Sequence, residues 1–176
     1  MKSHLIFILL TCIFLSCSPN DVEISDNYKF DGMGGISCEV EGALLKPNFE
    51  LYGNARARGD SYPDGTPIFS ISFSNDLNPE LEFQHIRILL IDADSRNDLT
   101  GQNFILKKEE NGQSFGEYGS QQFGDGATNS NYTGEVKILY HNREERIIGG
   151  DFWFDAVNDS DEIREVRNGA FDMFYY

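Results

Sequence analysis

Carboxylates are the most abundant side chains in this chain that could do chemistry, with 29 acidic residues against 14 basic ones. In the segment DADSRNDLTG, three of them on a tight turn would suit a hard cation such as Ca²⁺: Asp92, Asp94 and Asp98. However, Arg96 occupies the place of a third early ligand, and no glycine or late glutamate completes a calcium loop. We therefore interpret the segment as a solvated turn, and the sequence predicts no metal ion and no cofactor.

Two acids on one strand are the pattern that a polysaccharide hydrolase would need, because glycosidases use two carboxyl groups about 5 to 9 Å apart. Asp151 and Asp155 are such a pair, but in a chain this rich in acids some pair reaches that separation by chance. The sequence has no Gly-x-Ser-x-Gly elbow, phosphate loop or dinucleotide motif. It therefore predicts no catalytic residue, and a hydrolase of envelope polysaccharide is retained as an alternative function.

The histidine and cysteine side chains give weak signals for catalysis or metal binding. Neither His85 nor His141 has a second ligand-type residue at a metal-binding spacing, so each is interpreted as an ordinary strand or turn residue. Cys38 would be a nucleophile only beside a histidine and with a lowered pKa. Its position between Ile36 and Val40 on an alternating face favours a buried structural thiol.

An outward-facing tryptophan is the most specific hint of binding. If Phe152 and Phe154 point into the core, the strand alternation turns Trp153 to the outer face, near Leu139 and Phe174. Aromatic rings on a rigid sheet stack on sugar rings or cover an apolar patch of a partner. Trp153 and Phe174 are thus candidate ligand-binding residues, unless another sheet, the N-terminal segment or the Gly-rich loop covers the tryptophan.

The first seventeen residues have the pattern of a bacterial lipoprotein signal followed by its acylation site. An apolar run covers residues 5–15, which is shorter than the roughly 20 residues that a spanning helix needs. Ser16 is the small residue that a signal peptidase needs before Cys17, whose thiol would take a diacylglycerol and whose freed amine would take a third acyl chain. The sequence predicts a signal peptide over residues 1–16 and lipidation of Cys17, with ordinary secretion or a retained signal as alternatives.

The charge of the mature chain limits the classes of partner that it can bind. Removal of residues 1–16 takes away Lys2 and no acidic residue, so the mature chain is more negative than the −15 of the full chain. Such a surface repels phosphates, so the sequence argues against nucleic acid and leaves the membrane, through acylated Cys17, and a glycan or protein partner. Ser18, in place of an aspartate after the acylated cysteine, favours the outer membrane, on its periplasmic face or at the cell surface.

Turn residues recur at short intervals, and the segments between them alternate with the period of a strand. Residues 86–91 are apolar on both faces except for Arg87, which predicts a central strand. Gly149-Gly150 predicts a bulge or a bend where a later strand changes curvature. Three strong strands end the chain, around residues 136–140, 152–156 and 171–175. With about eight to nine strands in all, the sequence predicts an all-β fold, an antiparallel sandwich or barrel with little helix.

The chain divides into a tether and one domain. Residues 17–35 contain Pro, Asn, Asp and Gly with no sustained apolar period, which predicts a lipidated tether. Residues 36–176 fit a single β domain, large enough to bury a core without disulfides. Residues 112–126 are Gly-rich, and we expect a long irregular region there with a short strand around Phe115 to Tyr118.

Several motifs follow one another along the mature chain. After the lipobox come Ser37-Cys38-Glu39-Val40-Glu41-Gly42 with Lys46-Pro47, Gly134-Glu135-Val136-Lys137-Ile138, Gly150-Asp151-Phe152-Trp153-Phe154 and Asn168-Gly169-Ala170-Phe171. In this order they resemble a family of small Bacteroidota lipoproteins of unknown function that end in a Gly-x-Phe-x-Phe strand and an Asn-Gly-x-Phe strand. The resemblance implies an envelope location and an antiparallel β domain, and it implies no activity and no site residues.

These observations together favour a non-enzymatic, lipid-anchored envelope protein. We expect a binding or interaction module for a glycan, a small ligand or a protein. The alternatives are the hydrolase with paired carboxylates and a purely structural or assembly lipoprotein.

Overall fold

Every regular element of the described chain is a β-strand. The computed structural model describes residues 28–47, 54–75, 82–108, 110 and 112–176, and within them it contains eleven strands and no helix. This part of the chain accordingly has no helix that could cross a membrane. The strands are β1 Gly35–Val40, β2 Ala43–Leu45, β3 Ala55–Ser61, β4 Pro67–Ser74, β5 Gln84–Ile91, β6 Asn103–Leu106, β7 Phe115–Ser120, β8 Gly124–Ala127, β9 Gly134–Asn142, β10 Ile147–Asn158 and β11 Ile163–Phe174. The all-β prediction is confirmed, with eleven strands where about eight to nine were expected.

Three of these strands, β2, β3 and β8, have no strong strand pattern in the sequence. The sequence of β3 is ARARGDS and that of β8 is GDGA, and both are poor in the β-branched and aromatic residues that favour strands. They are strands because their neighbours supply the hydrogen-bonding ladder. The whole of β3 pairs with β4, and β8 lies between β7 and β10.

The strands form one antiparallel sheet in the order β2-β1-β11-β10-β8-β7-β5-β4-β3, with β9 paired to β10 and β6 to β9. The long strand β10 pairs with two strands along the same edge. Residues 147–154 pair with β9, and Val157 and Asn158 pair with β8. The register with β9 shifts between Gly149 and Gly150, so an irregularity of pairing lies at the glycine pair, but the extra residue is Leu139 of β9 and not a residue of β10.

The sheet curls over so that β3 returns to the residues that follow β11. Ala57 forms a parallel bridge with Tyr175, and the Tyr176 amide donates to the Ala57 carbonyl at 3.3 Å. The Gly59 amide donates to the Tyr176 carbonyl at 3.1 Å. The result is a sandwich-like fold in which buried side chains from most strands form one hydrophobic cluster.

Alternate side chains of the strands fill this core. Phe69, Ile88 and Phe154 are each 0% exposed, and removing side chains of this size from a core costs about 2–5 kcal/mol. Gly169 lies opposite Phe152 in the β10–β11 ladder, where a Cβ would come within 2.6 Å of the Phe152 ring. Glycine at that position therefore lets the two C-terminal strands pack around a large aromatic ring.

The central strand β5 is buried on both faces, as predicted. Its even-numbered residues face the main core, and Leu89 and Ile91 on the other face pack with Phe115 in a second cluster. Arg87 is exposed, and its guanidinium lies 5.4 Å from the centroid of the Phe115 ring. A strand held on both sides gives the outer face of β5 and β7 a rigid support.

Candidate functional site

Trp153 lies half-buried on the outer face of β10, as the alternation predicts. Phe152 and Phe154 on either side of it are 2% and 0% exposed. The backbone of Trp153 pairs with Glu135 of β9. On the β11 side, the guanidinium of Arg167 lies over the indole, with its Cζ atom 5.5 Å from the ring centroid.

The sheet itself holds the guanidinium of Arg167 in place. Its Nη2 lies 2.5 Å from Asp155 Oδ1, and its Nη1 donates to the carbonyl oxygens of Phe154 and Val166 at 3.1 and 3.0 Å. A cation over an aromatic face contributes about 0.5–2 kcal/mol, depending on its desolvation. A ligand that stacked on this face of Trp153 would have to displace a fixed guanidinium, which makes the ring a poor stacking platform.

Phe174 is 52% exposed but lies far from Trp153. In the β10–β11 ladder it pairs with Ile147, at the opposite end of β10 from Trp153. At about 3.3 Å per residue, the two aromatic residues are about 20 Å apart along the strand. The expectation that Trp153 stands near Phe174 is wrong, because strand alternation gives the face of a side chain and not its position along the ladder.

A segment before β1 crosses the outer face between these two aromatic residues. We call residues 28–34 the strap. The strap is centred on Asp172 of β11, a carboxylate that is only 2% exposed. Gly32 N donates to Asp172 Oδ1 at 2.7 Å, while Asp31 N and the Tyr28 hydroxyl donate to Oδ2 at 3.2 and 3.1 Å. Burial, followed by the hydrogen bond to Asp172, raises the pKa of Tyr28. The buried carboxylate is thus satisfied by donors from the chain itself.

Aromatic packing holds the middle of the strap. Phe30 stacks on Tyr140 with ring centroids 5.3 Å apart and planes inclined by 5°, and Tyr28 packs edge-on against Phe30 at 5.0 Å. A side chain at Gly149 would collide with the Phe30 ring, so glycine is what lets the ring lie on the sheet. The strap belongs to the segment predicted as a tether, and in the structure it packs on the domain up to the start of β1.

A groove over β5, β7, β8 and the end of β10 brings one imidazole and three carboxylates together. It encloses about 380 Å³ and is lined by His85, Glu117, Tyr118, Asp125, Gly126, Ala127, Val157 and Asp159. We call it the carboxylate groove. The groove is a depression because Ala127, which has a small side chain, lies opposite both Glu117 and Val157 in the ladders.

The closest polar pair in the carboxylate groove is His85 and Asp125. Gly119 lies opposite both residues in the ladders, and a Cβ there would collide with both side chains. His85 Nε2 is 3.7 Å from Asp125 Oδ1, and the two side chains are 37% and 89% exposed. Phe83 is 38% exposed, and its ring centroid lies 5.7 Å from that of His85. The pair is therefore open to a ligand and has an aromatic ring at its side.

The other two carboxylates of the groove differ in their partners. Glu117 Oε2 lies 2.8 Å from Arg87 Nη1, whereas Asp159 is exposed in the turn after β10. Within the described ranges, no three His, Cys, Asp or Glu residues converge as metal ligands would. Carboxylate acceptors, an imidazole and an aromatic edge are the groups that bind the hydroxyls and the apolar faces of a sugar.

The sequence did not reveal this groove because its walls come from four strands. Residues 112–126 were expected to be largely irregular, but they contain β7 and β8, and Glu117 and Asp125 point outward from these strands. The available signal was the alternation within Phe115–Ser120. No local signal could place Asp125 beside His85, because that contact depends on the register across three strands.

His141 has a structural role, as predicted. It is 7% exposed, and its Nδ1 accepts a hydrogen bond from Leu99 N at 3.2 Å. Nε2 therefore carries the proton and donates to the Tyr175 hydroxyl at 2.9 Å. Burial lowers the pKa of His141. The imidazole thus serves as an uncharged link between the end of β9 and the C-terminus.

The remaining candidates are also engaged in structure. Cys38 is 1% exposed, and burial raises its pKa to about 12, so the thiol is not a nucleophile. Asp94 is bound by Arg96 at 2.8 Å, and the hydrogen bonds from Arg96 lower its pKa. Asp155, one acid of the pair considered for hydrolysis, is bound by Arg167.

Comparison with known proteins adds no relative: no family model, curated protein or solved structure matches this chain. Cys17 and the predicted signal peptide lie outside the described residues. The geometry of the outer surface is therefore the basis for assigning a function to the domain.

Proposed function

We propose that this chain is a lipid-anchored protein of the cell envelope whose β domain binds a hydroxyl-rich, uncharged ligand, such as a neutral glycan, in the carboxylate groove. The anchor is Cys17, and the membrane is the outer membrane. The lipobox and the ordered motifs of the mature chain support the anchor and the membership of the lipoprotein family that they resemble. The domain acts by binding and carries out no reaction.

The observation that carries this proposal is the convergence of His85 and Asp125 over the gap left by Gly119. The carboxylate of Asp125 faces solvent and keeps unused hydrogen-bonding capacity, whereas His85 directs Nε2 towards this carboxylate and buries Nδ1 without a partner. A carboxylate accepts hydrogen bonds from two neighbouring hydroxyls, and charge-assisted hydrogen bonds are the stronger class. The net charge of −15 disfavours anionic ligands.

Binding is favoured over hydrolysis by the surroundings of the carboxylates. A general acid at neutral pH needs an apolar pocket that raises its pKa. Asp125 is 89% exposed, and Glu117 is held by Arg87, so neither has such a pocket. The hydrolase alternative predicts new reducing ends when the protein is incubated with a polysaccharide that it binds, whereas the proposed function predicts none.

The binding experiment is calorimetric titration of the mature protein with a panel of neutral oligosaccharides. Asp125→Asn with Asp159→Asn should weaken binding at least about tenfold, because each charge-assisted hydrogen bond contributes about 1.5–3 kcal/mol. Asp161→Asn is the matched control for Asp159→Asn, since it removes one charge from the same turn but does not line the groove. Equal affinity of the double variant and the control would refute the groove as the site.

The anchor is tested separately, by labelling growing cells with an alkyne-bearing fatty acid. Label should be incorporated into the wild-type protein and lost in Cys17→Ala. Cys12→Ala and Cys38→Ala are the matched controls, because the chain has three cysteines and only Cys17 follows the lipobox. Label that persists in Cys17→Ala would contradict the anchor and leave the binding result unaffected.

A further inference from the structure

Exposed apolar side chains are concentrated where the chain enters the domain. Eight large apolar side chains are exposed in the described part of the chain, and four of them lie at this end: Tyr28 at 46%, Met33 at 77%, Phe174 at 52% and Tyr176 at 59%. We call these four residues the entry patch. Their clustering distinguishes this end from the rest of the surface, where single exposed apolar residues need no explanation.

Contacts through the strap join the members of the entry patch. The hydroxyl of Tyr28 donates to Asp172, two residues before Phe174 on the same face of β11. A Cβ at Gly32 would lie 2.9 Å from the Phe174 ring, so the strap residue next to Met33 packs directly on that ring. Tyr176 follows on the same side of the chain, after the buried Tyr175. The strap thus brings Tyr28 and Met33 next to the end of β11, where Phe174 and Tyr176 are exposed.

We propose that the entry patch rests on the membrane that holds the acyl chains, with its aromatic rings in the headgroup region. The inference rests on the proposed anchor at Cys17. Ten residues separate Cys17 from Tyr28, and even a fully extended chain of that length spans at most about 40 Å. A surface held this close to a bilayer experiences a high effective concentration of lipid, so weak apolar contacts are sufficient for docking.

The chemistry of the entry patch fits a lipid–water interface. Tyrosine has an apolar ring and a polar tip, and it is enriched where a protein meets the headgroup region. Tyr176 fits this description, whereas the hydroxyl of Tyr28 is bound to Asp172 and Tyr28 contributes its ring. The acidity of the chain predicts a preference for zwitterionic over anionic headgroups. The side chains are few and partly exposed, as suits a surface that rests on the bilayer without crossing it.

Docking of the entry patch would place the carboxylate groove away from the membrane. Phe174 pairs with Ile147 at the start of β10, and the groove reaches Val157 near its end. Ten residues of strand correspond to about 33 Å. The proposed ligand site would then face the space beyond the bilayer, where an envelope glycan is accessible.

Fluorescence quenching by brominated lipid tests the inference, because the chain has a single tryptophan. The acylated full-length mature protein is reconstituted into phosphatidylcholine vesicles with brominated acyl chains. Trp153 is the distant reporter in the wild type, and Trp153→Phe combined with Phe174→Trp moves the reporter into the entry patch. Quenching should be several-fold stronger in the double variant. Trp153→Phe combined with Met33→Trp provides a second reporter that does not alter β11.

The outcomes separate this inference from the anchor. Proteins that float with the vesicles but show equally weak quenching at all three positions would overturn docking and leave the anchor at Cys17 intact. A protein that fails to float would overturn the anchor and the docking that depends on it. Strong quenching at Trp153 alone would also overturn the inference, since it would place the other end of β10 on the membrane.

Discussion

Two carboxylate sites on the outer surface of the sheet use similar chemistry in opposite ways. At Asp172 the carboxylate is 2% exposed, and the chain supplies a tyrosine hydroxyl and two backbone amides as donors. In the carboxylate groove, Asp125 is 89% exposed, and its Oδ1 lies 3.7 Å from His85 Nε2. The first site is filled by the strap, and the second is open.

The difference shows what an open site on this scaffold would accept. The strap behaves as an internal ligand at Asp172, because a hydroxyl binds the carboxylate while a ring stacks on Tyr140. A ligand in the groove could use the same two kinds of contact, with Asp125 and Phe83 in the corresponding roles. The filled site therefore contributes to stability, whereas the open site is available for binding.

The largest expected effect comes from removing the filled carboxylate. Asp172→Ala leaves three donors of the strap without their acceptor and should lower the free energy of unfolding by about 2–3 kcal/mol, measured by urea titration. Asp125→Ala, the same change in the open site, should alter it by less than about 0.5 kcal/mol. Similar decreases in the free energy of unfolding in the two variants would contradict the distinction between the filled and the open site.

Each of the two sites is bordered by a glycine, Gly149 at the filled site and Gly119 at the open one. Gly149→Ala forces the Phe30 ring off the sheet and should cost about 1–2 kcal/mol of stability. Gly119→Ala meets only the ends of the flexible side chains His85 and Asp125, so it should leave stability nearly unchanged. It should instead abolish oligosaccharide binding by filling the groove. Thermal unfolding and calorimetric titration of both variants distinguish these outcomes.

Substitution of Arg167 tests whether Trp153 is a third binding site, which the guanidinium of Arg167 covers. Arg167→Ala removes the cation over the indole and should cost about 1 kcal/mol. The indole should then become more accessible, which iodide quenching of its fluorescence would detect. Unchanged quenching would show that the guanidinium does not shield the ring, and oligosaccharide binding that appears only in this variant would move the ligand site to β10.

The smallest expected effect on stability is that of His141, a buried and uncharged imidazole whose two ring nitrogens are both hydrogen-bonded. Its pKa is lowered in the folded state from the ordinary value of 6.5, so the unfolded chain takes up the proton first as the pH falls. The uncharged imidazole therefore contributes fully to the free energy of unfolding above pH 6.5, and this contribution is lost as the pH falls below 6.5. Nearby Asp98 opposes the shift, and Arg143 adds to it. Urea titrations at several pH values should show a shallower decline in His141→Asn, and parallel curves would contradict the assignment.

Local patterns predicted the strands with strong alternation and not their lateral partners. Alternation placed Trp153 outside and Phe152 inside, and the glycine pair at 149 and 150 lies at a register shift whose extra residue, Leu139, belongs to β9. It could not indicate that Arg167 covers the indole, because that contact depends on the β10–β11 register. The Asp172 site depends on a segment that is 140 residues away in the sequence. Both contacts, that of Arg167 with Trp153 and that of the strap with Asp172, form only when the strands have paired into the sheet.

Amide chemical-shift mapping, which locates the ligand on the folded domain, tests the carboxylate groove most directly. A neutral oligosaccharide that binds the ¹⁵N-labelled mature protein should shift the amides of β7 and β8, above all Gly119 and Gly126, and leave those around Asp172 unchanged. Shifts confined to β9, β10 and β11 around Trp153, or no binding by any neutral oligosaccharide, would contradict the carboxylate groove as the functional site.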